Sequence, residues 1–285
     1  MKKLFFVTMF TFIFSIGAFA QLQLPQESNR AMTSQVVGDT TISISYHRPN
    51  VKGRKIWGEL VPFNQVWRSG ANNATVFEVS NDVTINGQTL PKGKYSLHSI
   101  PTANDVTIIF NKTWEQWGSF NYDEKQDALR VKVIPQKTPA MRETLMYEFD
   151  SVKDNSAVAV LSWADWRIPF TVNVGDFNAR TVSQIKNAIQ NRKPDDVRPL
   201  NQGAGFILNS KFKDNYEEAL GWLNTSIQTK ETFGNLSAKA RLLAEMGRTK
   251  EAVETGEKAV QVGKAATPAV NTANFEKILA EWKTK

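Results

Sequence analysis

The chain of 285 residues contains no cysteine and only two histidines, His47 and His98. Without cysteine there is no disulfide, no thiolate nucleophile, no cysteine-ligated zinc or iron–sulfur centre and no N-terminal cysteine for lipid attachment. Two histidines so far apart do not make the closely spaced ligand set of a zinc or iron site, so no metal is expected. No glycine-rich loop stands between a strand and a helix to cradle a phosphate, so no cofactor is expected either. A G-x-S-x-G nucleophile turn is also missing. Past residue 20 no apolar run is long enough to span a bilayer. Charge of one sign is scarce as well. The formal charge of +7 falls to +5 without Lys2 and Lys3, and neither half of the chain carries the clustered basic helices that nucleic acid binding uses.

What is present begins with a leader. Met1–Ala20 has a basic start, an apolar run and small residues at Ala18 and Ala20, the pattern of a secretory signal peptide cleaved near Ala20. The expected location is therefore the periplasm or the exterior. A length of 285 less 20 leaves 265 residues, enough to hold a fold by burial alone.

Residues 21–38 are polar and read as an extended N-terminal arm. At TTISISY the pattern alternates, with Ile42, Ile44 and Tyr46 on one face, as in a half-buried strand. Short alternating segments follow: TVFEV, VTI and QTL joined by Asn86-Gly87, KYSLHSI, VTIIF, ALRVKV, ETLMYEF, AVAVLSW and RIPFTVNV. Asn-Gly between strands predicts a two-residue hairpin, because both turn positions need positive φ. Trp163-Ala164-Asp165-Trp166 is read as the turn of a last hairpin, with both tryptophans buried against the sheet. Residues 39–175 thus predict a β-sandwich or jelly roll.

At Gly175-Asp176 the period changes from two to 3.6, and residues 176–285 predict an all-α domain. Ala219 and Ala252 align at an interval of 33 residues, as do Ser226 with Ala259 and Ile227 with Val260. That interval is close to a tetratricopeptide repeat, with a helix over Val270–Trp282 closing the stack. The fold class expected is α+β multidomain, an all-β unit followed by a tetratricopeptide-like helical unit.

The densest chemistry lies in Tyr46–Thr75, which holds Arg48, Lys52, Arg54 and Lys55, then Trp57, Trp67 and Arg68, two prolines and three glycines. Arginines can fork onto a carboxylate or phosphate, and aromatic rings can stack on a sugar or on the guanidinium itself. The candidate ligand-binding residues are Tyr46, Arg48, Arg54, Trp57, Trp67, Arg68, Asn72 and Tyr95. They serve either as a pocket for an anionic or carbohydrate ligand, or as a clasp in which the arginines pair with acids such as Asp123 or Asp165.

The order Tyr46-x-Arg48-Pro49, Lys52-Gly53-Arg54, Ile56-Trp57-Gly58, Val66-Trp67-Arg68-x-Gly70-Ala71-Asn72 and Pro91-x-Gly93-x-Tyr95-Ser96-Leu97 resembles the bacterial domain-of-unknown-function family 2911, over about residues 24–174. The resemblance implies a fold unit and an envelope location, and secreted members often carry a helical tail. It implies no reaction.

Catalytic residues are not identified by pattern. Ser69, with His47 as base, is the one serine in a glycine-flanked turn of the loop, and Glu59, Asp123, Glu124 and Asp165 are carboxylates that could pair for glycoside hydrolysis. Nothing in their spacing selects two. The sequence therefore favours a non-enzymatic envelope module that binds a ligand through its β domain and an envelope protein or peptide through its helices. A periplasmic hydrolase of glycans or esters is the alternative.

Overall fold

The computed structural model describes residues 25–284; the leader lies outside the described residues. Ten strands come first: β1 Asn29–Val37, β2 Thr40–Arg48, β3 Thr75–Val79, β4 Val83–Ile85, β5 Gln88–Leu90, β6 Gly93–Pro101, β7 Val106–Asn111, β8 Asp127–Val133, β9 Gln136–Lys153 and β10 Ser156–Asn173. They form two antiparallel sheets, ordered β1-β2-β3-β6-β7-β8 and β5-β4-β10-β9. One buried cluster joins them, with Ile42, Phe77 and Phe110 from the first sheet against Ile85, Leu161 and Phe170 from the second. Phe77, Phe110 and Phe170 meet with ring centroids 5.0–6.1 Å apart, so the two inner faces interlock as in a sandwich. Asn86 and Gly87 both have positive φ, and the β4–β5 hairpin they close is the one expected.

Two expectations change. Within the stretch 21–38, expected to be an extended arm, residues 29–37 form a sheet strand instead: β1 pairs along its whole length with β2, from Asn29 opposite Arg48 to Val37 opposite Thr40. Its alternation is faint because it is an edge strand with most side chains exposed. The second change concerns Trp163–Trp166, which makes no hairpin. These residues lie inside β10, where Ala164 takes φ of +50° and the pairing with β9 shifts register on both sides. Such a bulge absorbs an extra residue and bends the strand without reversing it. Both tryptophans are buried, as expected.

Six helices follow: α1 Phe177–Gln190, α2 Arg198–Asn209, α3 Tyr216–Thr229, α4 Phe233–Glu245, α5 Thr249–Ala265 and α6 Ala273–Lys283. Each packs on the next. Ala204, Ala219, Ala240, Ala252 and Ala259 are fully buried, which lets the helix axes approach closely. The Asp176 side chain caps α1 by accepting from the Ala179 N–H, and Thr232 with Asn235 forms a capping box on α4.

The first helix is tied to the β1–β2 turn. Arg180 donates to both oxygens of Asp39, at 3.0 and 2.6 Å. Gly38 has φ of +56°, and a Cβ there would lie 2.5 Å from the Phe177 ring. Gly38→Ala is therefore expected to cost about 1–3 kcal/mol through strain and overpacking, read as a lower urea midpoint. An unchanged midpoint would mean that Phe177 does not lean on this turn.

Among the described residues no helix is long and apolar enough to cross a membrane.

Candidate functional site

The loop between β2 and β3 is built as a bridge across one end of the sandwich. Near its start it pairs with β9: Val51 N–H donates to the Glu143 carbonyl at 2.8 Å and Leu145 N–H to the Pro49 carbonyl at 3.0 Å. Near its end it pairs with β6, where Trp67 and Ser99 exchange two backbone hydrogen bonds at 2.8 Å. The loop thus grips one strand of each sheet, and its own Trp57 and Trp67 pack against Trp163 and Trp166 of β10. Trp57 stacks on Trp166 with centroids 4.5 Å apart, and Trp67 stacks on Trp163 at 5.8 Å. Trp57 also meets Trp67 and Trp163 edge-on. Offset and edge-to-face contacts of this kind add to the area that the rings bury.

The arginines divide by role. Arg48 Nε donates to the Leu145 carbonyl at 3.0 Å, and Arg54 donates to the Val51 and Asn50 carbonyls at 3.0 and 2.6 Å. The clasp exists, but main-chain oxygens make it rather than the acids expected. Asp123 instead caps a short 3-10 turn, and among the described residues no carboxylate is paired with Arg48, Arg54 or Arg68. Arg68 is different. It is half-buried, its Nε is sealed from solvent without a hydrogen-bond partner among the described residues, and burial pulls its pKa below the usual guanidinium range.

Arg68 lines a cleft of about 300 Å³ with Arg54, Lys52, Trp67, Asn72, Asn50, Ser28, Glu27 and Trp163 among its walls. Four of the eight candidate residues therefore meet: Arg54, Trp67, Arg68 and Asn72. Trp57 and Arg48 do not line the cleft: Trp57 stands in the tryptophan cluster, and Arg48, at the end of β2, is bonded to the β9 backbone. Tyr46 is buried, edge-on to Tyr147 at 4.8 Å, and lines an adjoining groove. Tyr95 lies elsewhere, with its hydroxyl donating to the Pro91 carbonyl at 2.7 Å and its ring against Phe110. It is a core residue, since adjacency of motifs along the chain does not make adjacency in space.

Sequence reasoning missed the N-terminal wall. Asn72 Nδ2 donates to Gln26 Oε1 at 2.9 Å and to the Ser28 carbonyl at 3.2 Å, and Lys52 pairs with Glu27. Hydrogen bonding from Lys52, its charge and that of Arg54 all lower the Glu27 pKa. No sequence signal marks this wall, because it depends on the pairing of Asn29 with Arg48, which brings residues 25–28 over the loop.

The hydrolytic candidates do not assemble. Ser69 is 1% exposed and its hydroxyl donates to Ser99 at 2.9 Å, leaving His47 no role as its base. Glu59 pairs with Lys55 and Glu124 with Arg130. Burial, then the charges of Arg30 and Arg68, lower the His47 pKa.

A polar knot that sequence reasoning did not find holds the loop after β7. Ser96 Oγ donates to the Thr113 carbonyl at 2.9 Å, so it accepts from His98 Nε2 and from Gln116 Nε2, at 3.1 and 3.2 Å. That assigns His98 the neutral Nε2–H form, whose Nδ1 accepts from the Ser119 hydroxyl at 3.1 Å. His98 is fully buried, and desolvation lowers its pKa to about 4, against a smaller opposing pull from Asp127.

Among the described residues no cluster of three His, Cys, Asp or Glu side chains could hold a metal ion. No curated protein and no solved structure matches the chain. Residues 28–172, half of the chain, match the family model described as protein of unknown function (DUF2911), and the chain belongs to that family.

Proposed function

We propose that this chain is an exported cell-envelope protein whose β domain binds a small anionic ligand in the cleft at Arg68, and whose helical tail docks an envelope protein or peptide. The observation that carries the reading is the Arg68 guanidinium, desolvated and without an acceptor for its Nε. Among the described residues no carboxylate pairs with Arg68, and a ligand carboxylate or phosphate in the cleft that Arg68 lines would supply the counter-charge of the guanidinium as a whole, the sealed Nε excepted. Lys52, Arg54 and the Asn72 amide stand around the same cleft, and the Trp67 ring forms one wall. Export is supported by the leader pattern of Met1–Ala20.

For the tail, the support is the 33-residue interval between the buried positions Ala219 and Ala252 in α3 and α5, repeated by Ser226 and Ala259. Tetratricopeptide-like pairs stacked in this way offer an extended surface to a peptide or protein.

Galacturonic acid is a suitable first probe for the cleft, titrated calorimetrically into the mature protein. Arg54→Ala is expected to weaken it about tenfold, the value of a lost charge-assisted hydrogen bond. Equal affinity in the two proteins would remove Arg54 from the site, and no binding by wild type would count against the anionic reading.

A further inference from the structure

The cleft at Arg68 already contains an anion of its own. Three cations line it, Lys52, Arg54 and Arg68, and Glu27 is the one acid among the described residues of its lining. The Glu27 carboxylate pairs with Lys52, whose hydrogen bond and then charge lower the Glu27 pKa, with a smaller pull from Arg54. Glu27 thus stands ionised against the cationic wall, in the role that a ligand carboxylate or phosphate would take there.

The segment carrying Glu27 is held by side chains. Residues 25–28 precede β1, whose pairing with β2 begins at Asn29, and among the described residues none of their backbone groups bonds to another backbone group. What fixes them is a contact at each of two cleft residues. Lys52 takes Glu27, while the Asn72 amide donates to Gln26 Oε1 at 2.9 Å and to the Ser28 carbonyl at 3.2 Å. Lys52 and Asn72 both line the cleft, so the segment runs between them as a strap. Its ion pair is open to water, with the Glu27 and Lys52 side chains 82% and 53% exposed. Exposed ion pairs contribute little to stability, because solvent screens the charges and both side chains lose freedom. The strap can therefore be released without disturbing the sheet, whose ladder starts at the next residue. It also has room to move. Pro25, Gln26 and Ser28 line the groove beside the cleft, of about 1040 Å³, together with Trp114 and Gln116, so the strap borders open space on the groove side as well.

We propose that residues 25–28 are an autoinhibitory strap: in the free protein Glu27 occupies the anion position at Lys52 and Arg54, and an anionic ligand must displace it to bind. The proposal rests on the anionic reading of the cleft and adds the regulation of that site. The apparent affinity of such a ligand is its intrinsic affinity multiplied by the fraction of molecules in which the strap is open, so weakening the strap tightens binding.

Glu27→Gln keeps the shape of the side chain and removes its charge. Titrated calorimetrically with galacturonic acid, the mature variant is expected to bind about threefold to fivefold more tightly than wild type, the range that an exposed ion pair can withhold. Loss of a nearby negative charge would by itself raise affinity, so a second measurement follows the strap directly. Because the chain has no cysteine, Pro25→Cys gives a single attachment point for a nitroxide label. Its electron paramagnetic resonance spectrum is expected to sharpen when galacturonic acid saturates the cleft, and to be sharp without ligand in the Glu27→Gln background. Equal or weaker affinity in Glu27→Gln, or a spectrum that saturating ligand leaves unchanged, overturns the strap and leaves the anionic cleft standing. If neither wild type nor Glu27→Gln binds the acid, both readings fall.

Discussion

Trp163→Ala should destabilise the protein by about 3–5 kcal/mol, the usual cost of truncating a fully buried tryptophan. Trp163 is 1% exposed, stacks on Trp67 and meets Trp57 edge-on. Its removal would therefore open a cavity beneath the loop as well as in the sheet. Its indole N–H has no hydrogen-bond partner among the described residues, so no hydrogen bond is lost and the whole cost falls on packing. Chemical unfolding monitored by circular dichroism reads the effect directly. Because there is no cysteine, no disulfide masks the loss. A shift under 1 kcal/mol would mean that the tryptophan cluster contributes little to the fold.

The second large effect is on pH dependence. His98 has a pKa of about 4 in the fold against 6.5 for a free histidine. The unfolded chain thus takes up a proton at higher pH than the native one. Stability is fully present above about pH 6.5, falls as the pH drops, and levels off for this group below about 4. A gap of about 2.5 pH units corresponds to at most about 3 kcal/mol. His47, also lowered by burial and by two arginines, adds in the same direction. His98→Gln should flatten most of this acid limb, as measured by urea unfolding at pH 7 and at pH 4.5. An acid limb of undiminished size in that variant would assign it to carboxylates instead.

The sheet could be read from sequence where the pattern is local. Alternation at Ile42, Ile44 and Tyr46 and the paired positive-φ positions Asn86 and Gly87 each act within a few residues. β1 escaped notice because an edge strand buries little and so alternates weakly. The bulge at Ala164 is not legible because no glycine or asparagine marks its positive φ, and the interruption of the pattern there reads as a turn. The site was half legible for the same reason. Arg54, Trp67, Arg68 and Asn72 share one loop, whereas Glu27, Trp114, Gln116 and Trp163 reach the two cavities from distant parts of the chain. The His98–Ser119 contact likewise depends on how the loop after β7 folds back onto β6.

The clasp and the pocket differ most sharply at Arg68, where one substitution can be read in two ways. Arg68→Met keeps the length of the side chain and its apolar stem but removes the desolvated charge. If Arg68 is held for a ligand, the variant should be as stable as wild type or slightly more so, since replacing a buried unpaired charge by an apolar group is neutral or stabilising. The same variant should lose galacturonic acid binding by about tenfold or more. Measuring the urea midpoint and the calorimetric affinity on one preparation gives both values. An unfolding free energy lowered by more than about 2 kcal/mol together with unchanged affinity would contradict the pocket and leave Arg68 as part of the clasp.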